Sequence, residues 1–254
     1  MSVTIVRDLI IGQGTPKICV PIVGSTKQQI QREIGSIIEA KADLVEWRVD
    51  LYEHVASLEN VQQMLSWMKE QLGNCPLVFT FRTVDEGGTT PINRDEYVGL
   101  LRCAVQSHMV DLVDVELFVG DETVKSIIEF AHEHGVKVIV SNHDFEKTPS
   151  KDELISRIRK MWQLGADLPK VAVMPQCRED VLTLLSATES VTREEAKSPI
   201  ISMSMGRDGM ISRLCGEFFG SSITFASSGK TSAPGQMDVS DVQTILSIIH
   251  EYKK

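Results

Sequence analysis

Val136-Lys137-Val138-Ile139-Val140-Ser141-Asn142-His143-Asp144, then Pro149-Ser150-Lys151-Asp152-Glu153 and, beyond Gly165, Leu168-Pro169-Lys170-Val171-Ala172-Val173-Met174-Pro175 form the stretch that decides the fold. The β-branched run from Val136 to Ser141 reads as a buried strand. Pro149 to Glu153 supplies a cap and an acidic first turn for a helix, and Gly165 follows its end. The apolar run between two prolines is the next strand. Strand, helix and strand in this order make a parallel βαβ unit. Working outward, the same alternation runs from Ile18 to the C-terminus. Runs at Ile18 to Val23, Leu44 to Val49, Leu77 to Phe81, Leu112 to Leu117, Val136 to Ser141, Lys170 to Met174, Ile200 to Met205 and Ile223 to Ala226 are separated by helical patterns such as Gln28 to Ala40, Val61 to Leu72, Glu96 to Gln106 and Thr123 to His134. Gly135 ends the last of these, and Asp238 or Ser240 is placed to cap a final helix with Val242, Ile245, Leu246 and Ile249 on its apolar face. Eight such units in this length predict the α/β class and a closed (β/α)8 TIM barrel. An open doubly wound sheet is the alternative, but Pro21-Ile22-Val23-Gly24-Ser25-Thr26 lacks the glycine fingerprint of a dinucleotide fold. Residues 1–14 fall outside the alternation. Val3 to Arg7 and Leu9 to Ile11 read as a hairpin closing one end of the barrel. No Pro/Gly/Ser linker divides the rest, so residues 1–254 are expected to form a single domain.

The 254 residues are 42% hydrophobic and 24% charged, as in ordinary globular proteins, and carry a net charge of −9. That balance argues against a general nucleic-acid binder, because phosphate contacts need a basic surface. An anionic ligand must therefore meet a local cluster of positive charge. The start of the chain has no basic segment ahead of an apolar stretch, and no long apolar span follows, so a soluble intracellular protein is expected. Cys19, Cys75, Cys103, Cys177 and Cys215 are odd in number, far apart and free of any C-x-x-C spacing, which suits a reducing compartment and supports neither disulfides nor a zinc site. His132 and His134, two apart on a helix, read as solvated side chains rather than metal ligands.

The active site of such a barrel lies at the C-terminal ends of its strands. Polar residues gather there in Glu46-Trp47-Arg48, Arg82, Glu116, Ser141-Asn142-His143-Asp144 and Met203-Ser204-Met205-Gly206. Lys170 differs from these in lying within an apolar run. A lysine drawn into a core loses hydration, which disfavours its ammonium form and leaves more of the nucleophilic amine, whose natural partner is a ketone or aldehyde. The plainer alternative is a stem that snorkels and delivers the charge to solvent. Alternation puts Ala172 and Met174 on the face of Lys170, so an inward-facing run carries the amine inside the barrel. His143 is the natural general acid/base, either that or a structural histidine at a strand end. Glu46 and Arg48 share a strand face and are expected to neutralise each other while offering Arg48 to a ligand; a structural ion pair at the rim is the alternative. Glu86, in the loop after Arg82, is placed to orient a base unless it is merely solvated. Met203 and Met205 share a face, and core packing accounts for them. Ser227-Ser228-Gly229-Lys230-Thr231-Ser232-Ala233-Pro234-Gly235-Gln236 suits a flap over a polyhydroxy ligand, or a plain surface loop.

The blocks Glu46-Trp47-Arg48, Phe81-Arg82, Glu86-Gly87-Gly88, Ser141-Asn142-His143-Asp144-Phe145, Lys170-Val171-Ala172, Ser202-Met203-Ser204-Met205-Gly206 and Ser232-Ala233-Pro234-Gly235-Gln236 resemble, in order and across almost the whole chain, those of the type I 3-dehydroquinate dehydratases. The resemblance implies a lyase of the shikimate pathway that needs no cofactor or metal and converts 3-dehydroquinate to 3-dehydroshikimate and water through a lysine Schiff base. It implies a cytoplasmic homodimer whose other partner is the small-molecule substrate, with neither nucleic acid nor membrane involved. Position by position, it implies that Lys170 forms the imine, that His143 moves protons and that Glu86 holds His143. Arg213 then pairs with the substrate carboxylate. Glu46, Arg48, Arg82, Ser232 and Gln236 hold hydroxyls and carboxylate, Met203, Met205 and Phe225 wall the ring, and Ala233 belongs to the same flap block. On the residues alone two other readings stay open, a Schiff-base class I aldolase and a non-catalytic metabolite-sensing barrel.

Overall fold

A computed structural model describes residues 3–195, 197–229 and 231–253 of the chain. Strands β1 (Thr4–Val6) and β2 (Leu9–Ile11) form an antiparallel hairpin whose two-residue turn holds Arg7 in the left-handed region at φ 51°. Eight parallel strands follow: β3 (Lys17–Ile22), β4 (Leu44–Arg48), β5 (Leu77–Thr80), β6 (Leu112–Glu116), β7 (Lys137–Asp144), β8 (Leu168–Val173), β9 (Ile201–Ser204) and β10 (Ile223–Phe225). Their spatial order is β10-β3-β4-β5-β6-β7-β8-β9, and a single parallel bridge between Ile200 and Ser221 joins the last pair, so the sheet closes on itself as the (β/α)8 pattern requires. Helices α1 (Lys27–Glu39), α2 (Leu58–Leu72), α3 (Arg94–Gln106), α4 (Asp121–Glu133), α5 (Lys151–Leu164) and α6 (Arg178–Glu194) alternate with the strands. The short α7 (Gly206–Gly209) and α8 (Gly216–Phe219) lie between β9 and β10, and α9 (Val239–Lys253) ends the chain. The Ser150 hydroxyl caps α5 by accepting from the Glu153 N–H at 3.3 Å, and left-handed Gly165 ends that helix at φ 104°.

Alternation along the strands builds two cores. Outward residues such as Val45, Trp47, Phe79, Val113, Val115, Val138, Val140, Val171 and Val173 pack with the apolar faces of the helices. Inward residues near the strand N-terminal ends, among them Cys19, Leu44, Val78, Leu112, Ile139, Leu168, Ile201 and Ile223, form a second cluster that Val6 and Ile11 of the hairpin complete. The hairpin thus plugs the N-terminal end of the barrel. Side-chain bonds hold it there: Arg7 Nε donates to Asp111 at 2.6 Å, Arg7 Nη1 to the Gly73 carbonyl at 2.8 Å and Thr4 Oγ1 to the Asp167 carbonyl at 3.2 Å. On the same inward faces, two and four residues further along, the series turns polar. Leu44 is followed by Glu46 and Arg48, Val78 by Thr80 and Arg82, Leu112 by Asp114 and Glu116, Ile139 by Ser141 and His143, and Leu168 by Lys170. The plugged end is therefore apolar and the open end is charged.

Candidate active site

Lys170 projects from the middle of β8 and is 3% exposed, so the solvent-seeking alternative is excluded. Its surroundings are not the apolar ones expected from its strand. Nζ lies 3.3 Å from Asp114 Oδ2 and 3.5 Å from Glu46 Oε1, and 4.4 Å above the centre of the Phe225 ring. The carboxylates come from inward positions on β4 and β6, across the barrel interior from β8. Glu46 also accepts from Thr80 Oγ1 at 3.0 Å, and Asp114 from Ser141 Oγ at 2.6 Å. Burial works against ionisation of Asp114, yet the Arg82 and Lys170 cations hold its carboxyl below the usual range. Asp114 is absent from the candidates drawn from sequence. The alternation Leu112-Val113-Asp114-Val115-Glu116, with its valines outward, carried the signal, because it forces both acids into the barrel.

Arg48 and Glu46 do not neutralise each other. Arg48 forms a two-pronged pair with Asp50, Nε to Oδ1 and Nη2 to Oδ2 at 2.8 Å each. Side chains two apart on a strand run parallel from points about 7 Å apart, at 3.3 Å of rise per residue. The short turn after β4 instead swings Asp50 back toward the guanidinium. Arg82, 3% exposed, is similarly occupied: Nη1 reaches Glu116 at 2.7 Å and Ser141 at 3.0 Å, and Nη2 reaches Asp114 at 3.0 Å. Burial alone would depress its charged form, but these carboxylates hold Arg82 well above the ordinary arginine range.

His143 stands near the end of β7, where the strand extends three residues past the run read from sequence. In the parallel register Ser141 lies beside Lys170 and His143 beside Ala172, so the imidazole sits above and to one side of the amine. Glu86 reaches it from the turn after β5. One oxygen, Oε2, is 2.9 Å from both Nδ1 and the backbone nitrogen of His143. Burial, together with the Arg82, Lys170 and Arg48 cations, holds the imidazole well below its ordinary pKa, while burial pushes the Glu86 carboxyl up to about 8 against the pull of Arg82.

Arg213 comes from the 3-10 turn Met210–Arg213, which no strand-end rule could have identified. It is 2% exposed, and among the described residues no carboxylate lies within ion-pair distance. Its contacts are Pro234 O at 3.1 Å, Phe225 O at 3.5 Å and the Met203 sulfur at 3.5 Å, and burial pulls its pKa down to about 10. From the segment Ser227 to Gln236, in which Lys230 lies outside the described residues, Ser232, Ala233 and Gln236 line the site. Gln236 Oε1 accepts from the Ser232 N–H at 2.7 Å, and its Nε2 donates to Ser232 Oγ at 3.0 Å. Gly206 N–H donates to Pro234 O at 3.2 Å, and left-handed Gly235 packs so close to the Gly206 carbonyl that a Cβ has no room.

One cavity gathers all the residues to which the resemblance gives a place in the site: Lys170, His143, Glu86, Glu46, Arg48, Arg82, Met203, Met205, Arg213, Phe225, Ser232, Ala233 and Gln236. Gly87, Phe145 and Ala172 complete its lining. The pocket combines one buried amine, one largely buried imidazole and one cation without an ion pair among the described residues, and so suits a small carbonyl compound that carries a carboxylate.

Comparison with known proteins agrees with that chemistry. The model of the family described as type I 3-dehydroquinase matches residues 18–253. The 3-dehydroquinate dehydratase of Salmonella agona is 48% identical over 251 residues, covering 99% of this chain and all of that protein. Among solved structures, the Clostridium difficile type I 3-dehydroquinate dehydratase with covalently modified comenic acid is 47% identical with a TM-score of 0.97, over 99% of this chain and 100% of that one. The Geobacillus kaustophilus 3-dehydroquinate dehydratase is 40% identical with a TM-score of 0.96, over 100% and 98%. The chain belongs to the type I 3-dehydroquinase family and, as a carbon–oxygen lyase, dehydrates 3-dehydroquinate.

Proposed function

We propose that Lys170 forms the Schiff base of this dehydration and that His143, held by Glu86, moves the protons. The observation that carries the assignment is the shared cavity, in which the buried amine and the buried imidazole face the same space as the unpaired Arg213. In this reading the substrate carboxylate supplies the anion that Arg213 lacks. Met203, Met205 and Phe225 wall the ring, with Ala233 beside them, and Glu46, Arg48, Arg82, Ser232 and Gln236 hold the hydroxyls and fix its orientation. The Lys170 amine adds to the C3 carbonyl, and the carbinolamine loses water to give an iminium ion. Asp114 and Glu46, already beside Nζ, stabilise that cation without rearrangement. A C–H next to a ketone is a poor acid, but next to an iminium ion its electron pair passes into an enamine, so a modest base suffices. His143 Nε2 takes the C2 proton. The enamine then expels the C1 hydroxyl, which leaves as water with the proton that His143 has just acquired. Hydrolysis of the conjugated iminium consumes one water and restores the amine, so the net change is loss of one water.

Borohydride reduction during turnover tests the assignment. Expected is a ligand mass increment on the peptide carrying Lys170, and turnover that persists undiminished in Lys170→Ala would overturn it. The covalently modified ligand held by the Clostridium difficile relative supports a site of this kind. We further infer a cytoplasmic, single-domain homodimer, supported by the family resemblance and by five cysteines that remain free thiols, as in a reducing compartment. Light scattering should then give twice the 28.2 kDa chain mass, and a monomer at working concentration would rule the dimer out.

A further inference from the structure

Val138 and Val140 face outward from β7 into the helical layer, and alternation puts residue 142 on the same side. There the chain places Asn142, 3% exposed, where a third apolar residue would continue the series. A buried amide needs partners at both ends. Its Nδ2 donates to Glu86 Oε1 at 3.1 Å, and its Oδ1 accepts from Arg157 Nη1 at 2.6 Å. The second bond decides the first. A guanidinium only donates, so the amide oxygen must face Arg157 and the NH2 must face Glu86. Arg157 itself is fixed: it rises from α5, lies over the Phe118 ring at 5.4 Å from its centre, and ties Nε to Glu153 at 2.9 Å.

Glu86 is thereby surrounded by donors. Asn142 serves Oε1, the His143 backbone N–H serves Oε2, and Arg82 Nη1 faces Oε2 at 3.6 Å. When ionised, Glu86 can only accept, toward the imidazole as well, and this requires the ring proton to reside on Nδ1. We propose that Arg157 and Asn142 are positioning residues for the dehydration, which through Glu86 fix the Nδ1-protonated tautomer of His143 and leave Nε2 bare to take the C2 proton. This rests on the assignment of His143 as the base. Neither residue lines the cavity that holds Lys170, so neither meets the substrate there.

The pH dependence follows from the groups around the pair. Arg82, Lys170 and Arg48 face His143; Arg82 and Glu116 face Glu86; Arg157 stands behind Asn142. The pair is a base at Nε2 only while Glu86 is ionised, and burial pushes the Glu86 carboxyl up to about 8, so kcat should fall as pH drops through that region. Loss of the Asn142 donor, or of the Arg157 charge behind it, favours the protonated pair and moves that limb to higher pH.

The test compares pH profiles of kcat, KM and borohydride trapping for the parent, Asn142→Ala, Arg157→Met and Arg157→Lys. Arg157→Met leaves the buried amide in place should Asn142→Ala fold poorly. Expected for both losses is kcat lower by about tenfold, the scale of one hydrogen bond, KM within about twofold, and an acid limb at higher pH. Arg157→Lys, which still only donates, should restore the parent limb. Nitrogen NMR of histidine-labelled enzyme should find His143 protonated at Nδ1 in the parent. A limb that stays at the parent position in Arg157→Met, or a parent His143 protonated at Nε2, overturns the proposal. An absent Lys170 adduct in the parent counts against the imine assignment alone, and the limbs and the tautomer still decide this one.

Discussion

Arg213 is the residue whose surroundings most resemble a question waiting for a ligand. Arg48 and Arg82 have carboxylates of their own, so their charges are spent within the wall. Arg213 is buried to the same degree with only carbonyls and a thioether, and its pKa falls to about 10 through burial. Below pH 10 the group is charged in both folded and unfolded states, so the folded state bears the full cost of the shift, and that cost fades as pH rises through 10 toward the ordinary arginine value. Replacing Arg213 by Met should therefore stabilise the free protein by about 1–3 kcal/mol at neutral pH, given roughly 1.4 kcal/mol per pKa unit. The same change should lower kcat/KM by about 100-fold or more, since losing one partner of a buried charge pair costs about 2–5 kcal/mol. Thermal melting and steady-state kinetics on one preparation check both. A variant that melts lower, or one that keeps its kcat/KM, contradicts the view of Arg213 as an uncompensated carboxylate receptor.

Elements explain what sequence reading could and could not reach. Lys170, Glu46 and Arg48 were legible because period-two alternation on a buried strand needs only the neighbours' polarity. Asp114 obeys the same rule, and its signal lies in Val113 and Val115, whose outward places turn it inward. The β-branched run ends at Ser141, and His143 reads from sequence only as a strand-end residue. The strand in fact continues to Asp144, since its ladder to β8 carries on through the pairs His143 with Ala172 and Asp144 with Val173. Arg213 and Glu86 sit on turns after β9 and β5, where no periodicity operates: Glu86 reads from sequence either as the orienter of a base or as a solvated loop carboxylate, and Arg213 is singled out only by the resemblance to a family. The Glu46–Arg48 pair failed for a related reason. Strand spacing fixes which face a side chain takes, but the partner of a long arginine is chosen by whichever turn brings a carboxylate to its fork, here the one carrying Asp50. Asn142 shows the limit from the other side: a polar residue in an outward apolar series is visible in sequence, yet its meaning depends on Arg157 across the loop from β7 to α5.

At the scale of the whole molecule the barrel must close for any of these side chains to converge, and closure is thinnest between β9 and β10. That seam has one bridge, Ile200 with Ser221, supported by the Ser222 N–H donating to the Ile200 carbonyl at 2.7 Å. Ser221 makes up for the missing ladder with its side chain. Its hydroxyl accepts from the Ser202 N–H at 3.0 Å and lies 3.1 Å from the Ser202 carbonyl as a donor, while 6% exposed. Removing it leaves two buried backbone groups of β9 without partners, at about 1–3 kcal/mol per unsatisfied group. Ser221→Ala should accordingly lower the melting temperature, by roughly 2–4 °C per kcal/mol for a chain of this size. The effect on KM should be small, because Ser221 does not line the cavity that holds Lys170. Hydrogen exchange gives the sharper check: the Ser202 amide should lose protection while amides of the β7–β8 ladder keep theirs. Loss of protection around the whole barrel would mean that the seam opens only with global unfolding, and unchanged protection at Ser202 would mean that the hydroxyl is dispensable to closure.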